Sequence, residues 1–404
     1  MLGIRVGMCG VGAFADCFIP LFRAHPLVEE VILCDLDAEK LRAKSQRFGI
    51  PATCPSLDEL CGLDIDAIAI ITQHWLHAPQ AVQALQAGKH VYSAVPAAHS
   101  LEELTELVRT VEETGRTYML GETSYYYPCA VYCRRRFQAG DFGRIVYAEG
   151  EYYHDWDHGL YDVAKWRGGE NWRELAGGPP MYYPTHSTSL IISVTGAHMT
   201  HVSCFGVIDE HADGLYGPDA NVFRNSFSNE SALFRMSDGS VARINEFRRI
   251  GHPGTVRMSL HGTLGSYEEQ ANAQVWVTKD AGQTTDLADL LACRGVPARD
   301  VVGDMGKVTS ADGTHCEASR VHDLARLPKE YLGLPNGHNG SHQFLVDDFV
   351  RACVEGTTPP NNVWQAARYM VPGLIAHESA QRGGELLGIP DFGEGPASWE
   401  TSTS

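Results

Sequence analysis

The sequence predicts an α/β + α+β protein, in which a doubly wound α/β domain precedes a domain built on an open antiparallel sheet. Three observations carry this. A glycine-rich turn joins two apolar runs near the start, and strand and helix patterns then alternate through the first 120 residues. Beyond about Ser124, short strand-like runs divided by Gly, Asp, Asn and Ser take over. The divisions expected are 1–124, 125–340 and a pair of helices in 341–404 that return to the first domain.

The elements follow in order. Ile4–Cys9 and Val31–Cys34 read as strands, and Asp66–Ile71 as a nearly all-apolar third, the composition of a strand covered on both faces. His90–Ser93 and Thr117–Leu120 complete the set, with helices at Ala38–Phe48, Ala78–Ala87 and Leu101–Thr114 between them. Ser100 with Glu103 forms a capping box ahead of the last. In the second domain Ala130–Ala139 is helical and Gly143–Tyr153 alternates as a strand. Ser231–Met236, Val241–Phe247 and Val256–His261 supply the sheet. Residues 278–335 are loop-rich and without period. His342–Glu355 and Val363–Gln381 are helices stopped by Gly356 and Gly383.

The first turn reads Gly10-x-Gly12-x-x-Ala15, and Asp35 ends the second strand 20 residues beyond Ala15. Gly10 permits a tight turn, Gly12 lets the backbone approach a pyrophosphate, and Ala15 lets a helix sit close to the sheet. Phosphates would rest on the helix N-terminus. An acid at Asp35 hydrogen-bonds a ribose and repels a 2′-phosphate, which favours NAD over NADP. The plain alternative is an ordinary strand-to-helix turn.

Composition narrows the field. Of 404 residues 44% are hydrophobic, enough for a proper core, and a formal net charge of −18 makes nucleic acid and anionic membranes poor partners. The eleven cysteines show neither CxxC nor zinc spacing, which fits a reducing cytoplasm. The chain enters a strand without a leader-like segment, and no apolar stretch has the length of a membrane span.

Further motifs carry a resemblance. Thr72-Gln73-His74-Trp75-Leu76-His77 follows the third strand, and Gly88-Lys89-His90-Val91 opens the fourth, which ends Ala94-Val95-Pro96. Gly177-Gly178 precedes His186, and Gly337-His338-Asn339-Gly340 leads into a helix. With the glycine loop, these make the chain resemble the sugar oxidoreductases of the Gfo/Idh/MocA family over essentially its whole length. The resemblance implies an N-terminal Rossmann domain for NAD(P) and a C-terminal sheet domain that holds a sugar or polyol against the nicotinamide. It also implies a homo-oligomer formed through the exposed face of the large sheet. Cofactor contacts then fall on Gly10, Gly12, Ala13, Phe14, Asp35 and Thr72, and on Trp75, Leu76, His77, Ala94, Val95, Glu122 and Tyr183.

Two departures sharpen the resemblance. Most dehydrogenases of the family carry Glu-Lys-Pro after the fourth strand, where the Lys helps move a proton; here that position is Val95. The Asp usually found four residues before the active-site His is Tyr182. Instead, Tyr183-Pro184-Thr185-His186 and the valine before Pro96 are similar to the NAD-dependent glycosidases of glycoside hydrolase family 109. Tyr152-Tyr153-His154-Asp155 matches that family's Tyr-x-His-Asp segment, and Trp75-Leu76-His77 its Trp-x-x-His loop with one residue fewer.

Enzymes of the resembled type oxidise C3 of a sugar, lose the C2 proton, expel the C1 leaving group, add water and return the hydride, so no net redox occurs. The residues that suit this are His186 at the C3 oxygen and Tyr183 against the nicotinamide or the C2 face. Tyr152 and His154, two apart on a strand and so on one side of it, line the sugar pocket or supply the C2 base. The catalytic candidates are thus His186, Tyr183 and His154, and the substrate contacts Tyr152, Trp166, Arg167, Tyr182 and Thr185. Trp166-Arg167 and Trp172-Arg173 form a repeat in a Gly-rich loop suited to stacking a sugar ring, or simply anchoring the loop. Tyr125-Tyr126-Tyr127 reads as packing. Strand alternation through His154–His158 would send its His and Asp side chains to opposite faces, so no metal is expected. Two alternatives stand beside redox-assisted glycoside cleavage: an ordinary NAD-dependent sugar or polyol dehydrogenase, and a non-catalytic dinucleotide sensor.

Overall fold

The computed structural model describes residues 3–294 and 313–395. The chain divides into two compact units, Met1–Pro128 with Ala292–Ala367 and Phe392–Ser404, and Cys129–Leu291 with Arg368–Asp391. Residues 313–340, grouped with the second domain from sequence, therefore belong with the first. The reason is apolar: Leu327 and the fully buried Tyr331 join the first unit's core. The C-terminal tail from 396 lies outside the described residues.

The first unit is built on strands β1 (Ile4–Cys9), β2 (Val28–Cys34), β3 (Thr53–Cys54), β4 (Ala67–Ile70), β5 (His90–Ser93) and β6 (Tyr118–Leu120). They form a parallel sheet in the order β3-β2-β1-β4-β5-β6. The order reverses at β1, which pairs with both β2 and β4. A crevice at the carboxyl ends of the strands at such a point is where open α/β sheets bind ligands. Every residue of β4 is buried, as its apolar run requires. Val6 and Met8 of β1 pack in one cluster with Phe18, Phe22, Phe344 and Phe349. Each such side chain contributes about 1.5–3 kcal/mol of burial.

Local chemistry sets the helix ends. Asp37 accepts hydrogen bonds from the Glu39 and Lys40 amides to start Ala38–Phe48, and Gly49 ends it at φ 60°. Ser100 Oγ accepts from the Glu103 amide at 3.1 Å, while the Glu103 carboxylate reaches one residue further back, to the His99 amide at 2.8 Å.

The second unit carries β7 (Ile145–Tyr153), β8 (Met199–Ile208), β9 (Phe227–Met236), β10 (Val241–Phe247), β11 (Thr255–Gly262), β12 (Gly265–Gln270), β13 (Ala273–Thr278), β14 (Thr285–Asp286) and β15 (Leu387–Gly388). The sheet order is β14-β13-β12-β11-β7-β10-β9-β8-β15. It is antiparallel except at its centre, where β7 and β10 run parallel, Tyr152 beside Glu246. The open antiparallel sheet expected from sequence is present, with this one parallel pair at its centre. The chain between these two strands holds the helix Thr185–Thr195 and two further strands, and a crossover of that length is what parallel neighbours need.

The helix Thr185–Thr195 covers one face of this sheet, and Gly150 sets how closely. A Cβ at Gly150 would stand 2.5 Å from the Ser187 carbonyl oxygen and 2.9 Å from Ile244 Cδ1. Tyr152 lies two residues along β7 and shares that face. The opposite face bears a charged ladder in which Arg243 pairs with Glu149 and Glu151, and Arg257 with Glu151.

Candidate active site

In the first unit the expected cofactor residues gather at the carboxyl end of the parallel sheet. Gly10 has φ +88°, and a Cβ there would lie 2.5 Å from the Ile71 carbonyl oxygen, so only glycine fits where β1 meets β4. Asp35 closes the same loop, its carboxylate accepting from the Val11 amide at 2.9 Å and the Asp37 amide at 2.9 Å. The residue after it, Leu36, is 87% exposed, an apolar platform at the end of β2. Gly12, Ala13 and Phe14 are half-buried in the loop. A short 3-10 turn, Phe14–Cys17, and the helix Ile19–Ala24 follow, in place of one continuous helix. Buried Asp16 in that turn is held by Lys44 and Arg47.

Thr72 begins the next loop and hydrogen-bonds Gln80 at 2.6 Å. Trp75 sits in the turn His74–Leu76 with its ring edge-on to His74. Leu76 beside it is half-buried. His77 is buried, with Nδ1 2.9 Å from the Pro96 carbonyl and Nε2 3.2 Å from the Thr72 carbonyl, so it ties the two loops together by their backbones. The Val95–Pro96 peptide is cis. Ala94, at the end of β5, donates its amide to Ile70. Glu122, beyond β6, is fully buried and accepts from the Ser124 amide at 2.8 Å. Small backbone-defining residues and one ribose-type acid at strand ends suit a dinucleotide, and an acidic Asp35 beside exposed Leu36 suits an unphosphorylated adenosine.

In the second unit four of the expected residues come together. The His186 ring lies edge-on to Tyr152 and to Tyr183, each at 5.4 Å between centroids, and Tyr152 is 6.2 Å from Tyr183. The Tyr152 hydroxyl is 2.8 Å from His154 Nδ1. His186 and Thr185 occupy the buried first turn of Thr185–Thr195, which is why a Pro-Thr-His sequence presents its imidazole at a helix start.

Three further expected substrate residues lie outside this ring cluster, Arg167 near enough for its charge to act on His154. The Tyr182 ring meets His377 and Phe223. Trp166, 57% exposed, and Arg167 lie on the helix Tyr161–Gly168, so the sequence-based loop is corrected to helix. β7 ends at Tyr153, and a helical turn, Trp156–Leu160, replaces the expected strand continuation. Asp155 caps that turn and also accepts from the Ile250 amide, which occupies its carboxylate.

Two charged residues that escaped the sequence reading underlie the cluster. Glu246 is fully buried, accepts from Ser187 Oγ, and pairs with the buried Arg248 at 3.1 Å. The Arg248 guanidinium lies over the Tyr152 ring at 4.8 Å. The signal was available: Ile244, Glu246 and Arg248 share one parity, so charges continue an apolar face. Burial pushes the Glu246 carboxyl up to about 7, against the pull of Arg248, Ser187 and His186. Burial, then the Arg248 and Arg167 charges, lowers His154 to about 4, so its imidazole is neutral at pH 7. A neutral imidazole bonded to a phenol above a buried cation can accept and pass on a proton. Glu230, cross-strand from Glu246 and also fully buried, accepts from the Met181 amide and from His377, fixing the turn that carries Tyr183.

Among the described residues, no group of three or more His, Cys, Asp and Glu is placed to hold a metal, and no helix is long and apolar enough to cross a membrane.

Comparison with known proteins gives a consistent picture. Residues 4–122 match the family described as "Oxidoreductase family, NAD-binding Rossmann fold", and residues 131–268 match the GFO/IDH/MocA C-terminal domain. An alpha-N-acetylgalactosaminidase of Bacteroides fragilis is 31% identical, across 97% of this chain and 92% of that protein. A glycosyl hydrolase family 109 protein of Streptomyces filamentosus is 26% identical across 99% of this chain and 79% of its own length. Among solved structures, levoglucosan dehydrogenase in complex with NADH and levoglucosan shares the fold with a TM-score of 0.73 at 17% identity, covering 96% of this chain and 100% of that one.

Proposed function

Because the chain belongs to the GFO/IDH/MocA family of NAD-binding oxidoreductases, we propose that it is an NAD-dependent enzyme that oxidises C3 of a glycoside and cleaves the glycosidic bond without net redox. The observation that carries the reading is the cluster of Tyr152, His154, Tyr183 and His186, with Val95 where a proton-moving Lys stands in most relatives of the dehydrogenase type. The names borne by the 31% and 26% identical relatives support it.

NAD, held by the Gly10–Phe14 loop, Asp35 and the strand ends after β4, β5 and β6, supplies a reversible hydride acceptor. The rest falls to this chain's side chains. His186 hydrogen-bonds the C3 hydroxyl and takes its proton as C3 becomes a ketone. That ketone acidifies C2–H, and the Tyr152–His154 pair removes this proton. The C2–H electron pair then forms the C1–C2 double bond as the C1–O bond breaks and the aglycone leaves. Water adds its hydroxyl to C1 and its remaining proton to the departed aglycone oxygen, the Tyr152–His154 pair returns the proton to C2, and His186 reprotonates the C3 oxygen on reduction. Tyr183 packs beside His186 and keeps its imidazole in place. With His186 handling the C3 hydroxyl proton in both directions, a titrating Lys at position 95 is not required. A second copy of the chain, docked through the open sheet face, completes the proposal as a homo-oligomer.

The test is a panel of aryl glycosides, N-acetylgalactosaminides included, with phenol release and the NADH band followed together. Phenol release without NADH accumulation is expected. Stoichiometric NADH with the glycosidic bond intact would make the enzyme an ordinary sugar dehydrogenase.

A further inference from the structure

We propose that Arg248, anchored by Glu246, is a positioning residue that holds the Tyr152 hydroxyl on His154 and lowers the proton affinity of the Tyr152 phenol. This rests on the reading of the Tyr152–His154 pair as the group that takes the C2 proton.

The geometry is specific. Arg248 follows the end of β10 and is buried. One Nη donates to the Glu246 carboxylate at 3.1 Å and to the Pro180 carbonyl at 3.4 Å, and the other donates to the Phe247 carbonyl at 3.2 Å and the Tyr152 carbonyl at 3.4 Å. The guanidinium plane thus spans β7, β10 and the turn that leads to Tyr183, while its face covers the Tyr152 ring at 4.8 Å. A desolvated cation over an aromatic ring favours negative charge on that ring's oxygen. Glu246 sits beside Tyr152 in register, so its own ionisation sets how much of the Arg248 charge the phenol feels. The other groups that bear on this network are Tyr216 near Arg248, His186 near Glu246, Glu230 across the strand from Glu246, and Arg167 and His158 near His154.

The experiment uses the full-length protein with NAD bound, labelled with ring-carbon-13 tyrosine, the Tyr152 signal being identified by its loss in Tyr152→Phe. In Arg248→Met the Tyr152 titration is expected to move up by about one pH unit or more, and Arg248→Lys to restore most of the shift. In Glu246→Gln, which keeps the shape but removes the countercharge, the titration should move down. Loosened packing cannot produce opposite shifts from two neighbours. Should Arg248→Met fail to fold, the isosteric Glu246→Gln still decides. A Tyr152 signal that titrates identically in Glu246→Gln and wild type, or that moves the same way in both variants, overturns the proposal. The titration needs no glycoside, so a wild type that cleaves nothing defeats the functional reading and leaves this result to be judged by itself.

Discussion

His154 and Glu246 couple to folding with opposite signs. His154 is depressed to about 4, so the folded chain refuses a proton that the unfolded chain binds near 6.5. Its contribution to stability is full above pH 6.5 and is lost as the pH falls toward 4. Glu246 is raised from 4.5 to about 7, so the folded chain keeps a proton that the unfolded chain has released. That contribution is full below pH 4.5 and is lost as the pH rises through 7. Urea midpoints measured across this range should therefore lose part of their acid sensitivity in His154→Gln and part of their alkaline decline in Glu246→Gln. Catalysis gives a third residue-scale test. His186→Ala is expected to lower kcat for glycoside cleavage by about 100-fold or more while NAD affinity is unchanged. Gly10→Ala should do the reverse: at φ +88° its Cβ meets the Ile71 carbonyl at 2.5 Å, so dinucleotide affinity, read by the fluorescence of NADH, collapses first.

At the scale of elements, the contact between β7 and the helix Thr185–Thr195 holds His186 against Tyr152. Gly150→Ala pushes a methyl group into the Ser187 carbonyl and is expected to cost about 1–3 kcal/mol in unfolding free energy, with a larger proportional loss of kcat than of NAD binding. The elements that were legible from sequence are those with a local code. Asp37 and Gly49 bracket one helix, Ser100 starts another, and Val241–Phe247 reads as a strand between turn residues. Where local code ran out, so did the reading. Trp156–Leu160 is a turn because Asp155 caps it, a side-chain event that periodicity does not register. The cluster of Tyr152, His154, Tyr183 and His186 came from motif resemblance. Glu246 and Arg248 were missed because a charge on a strand reads first as solvated.

For the molecule as a whole, domain membership was the least legible property. The stretch around Asn336 has no period because its order comes from non-repeating bonds: Asn336 donates to the Cys316 and Gly340 carbonyls, and His322 meets the Tyr126 carbonyl. Such bonds join distant residues and leave no trace in spacing. The proposed assembly is testable at this scale. Val207 and Leu233, 57% and 53% exposed on neighbouring strands, are the apolar groups a second copy would cover. Sedimentation velocity should show a smaller species for the double variant Val207→Glu and Leu233→Glu, with each chain still folded.

The glycine at position 150 also bears on how such an enzyme changes its sugar. Where main chain rests on main chain, the spacing between phenol and imidazole is a constant that side-chain drift cannot retune. On the proposed reading, adaptation to a new glycoside falls to groups outside that contact, such as the exposed Trp166 and Arg167 on the helix Tyr161–Gly168.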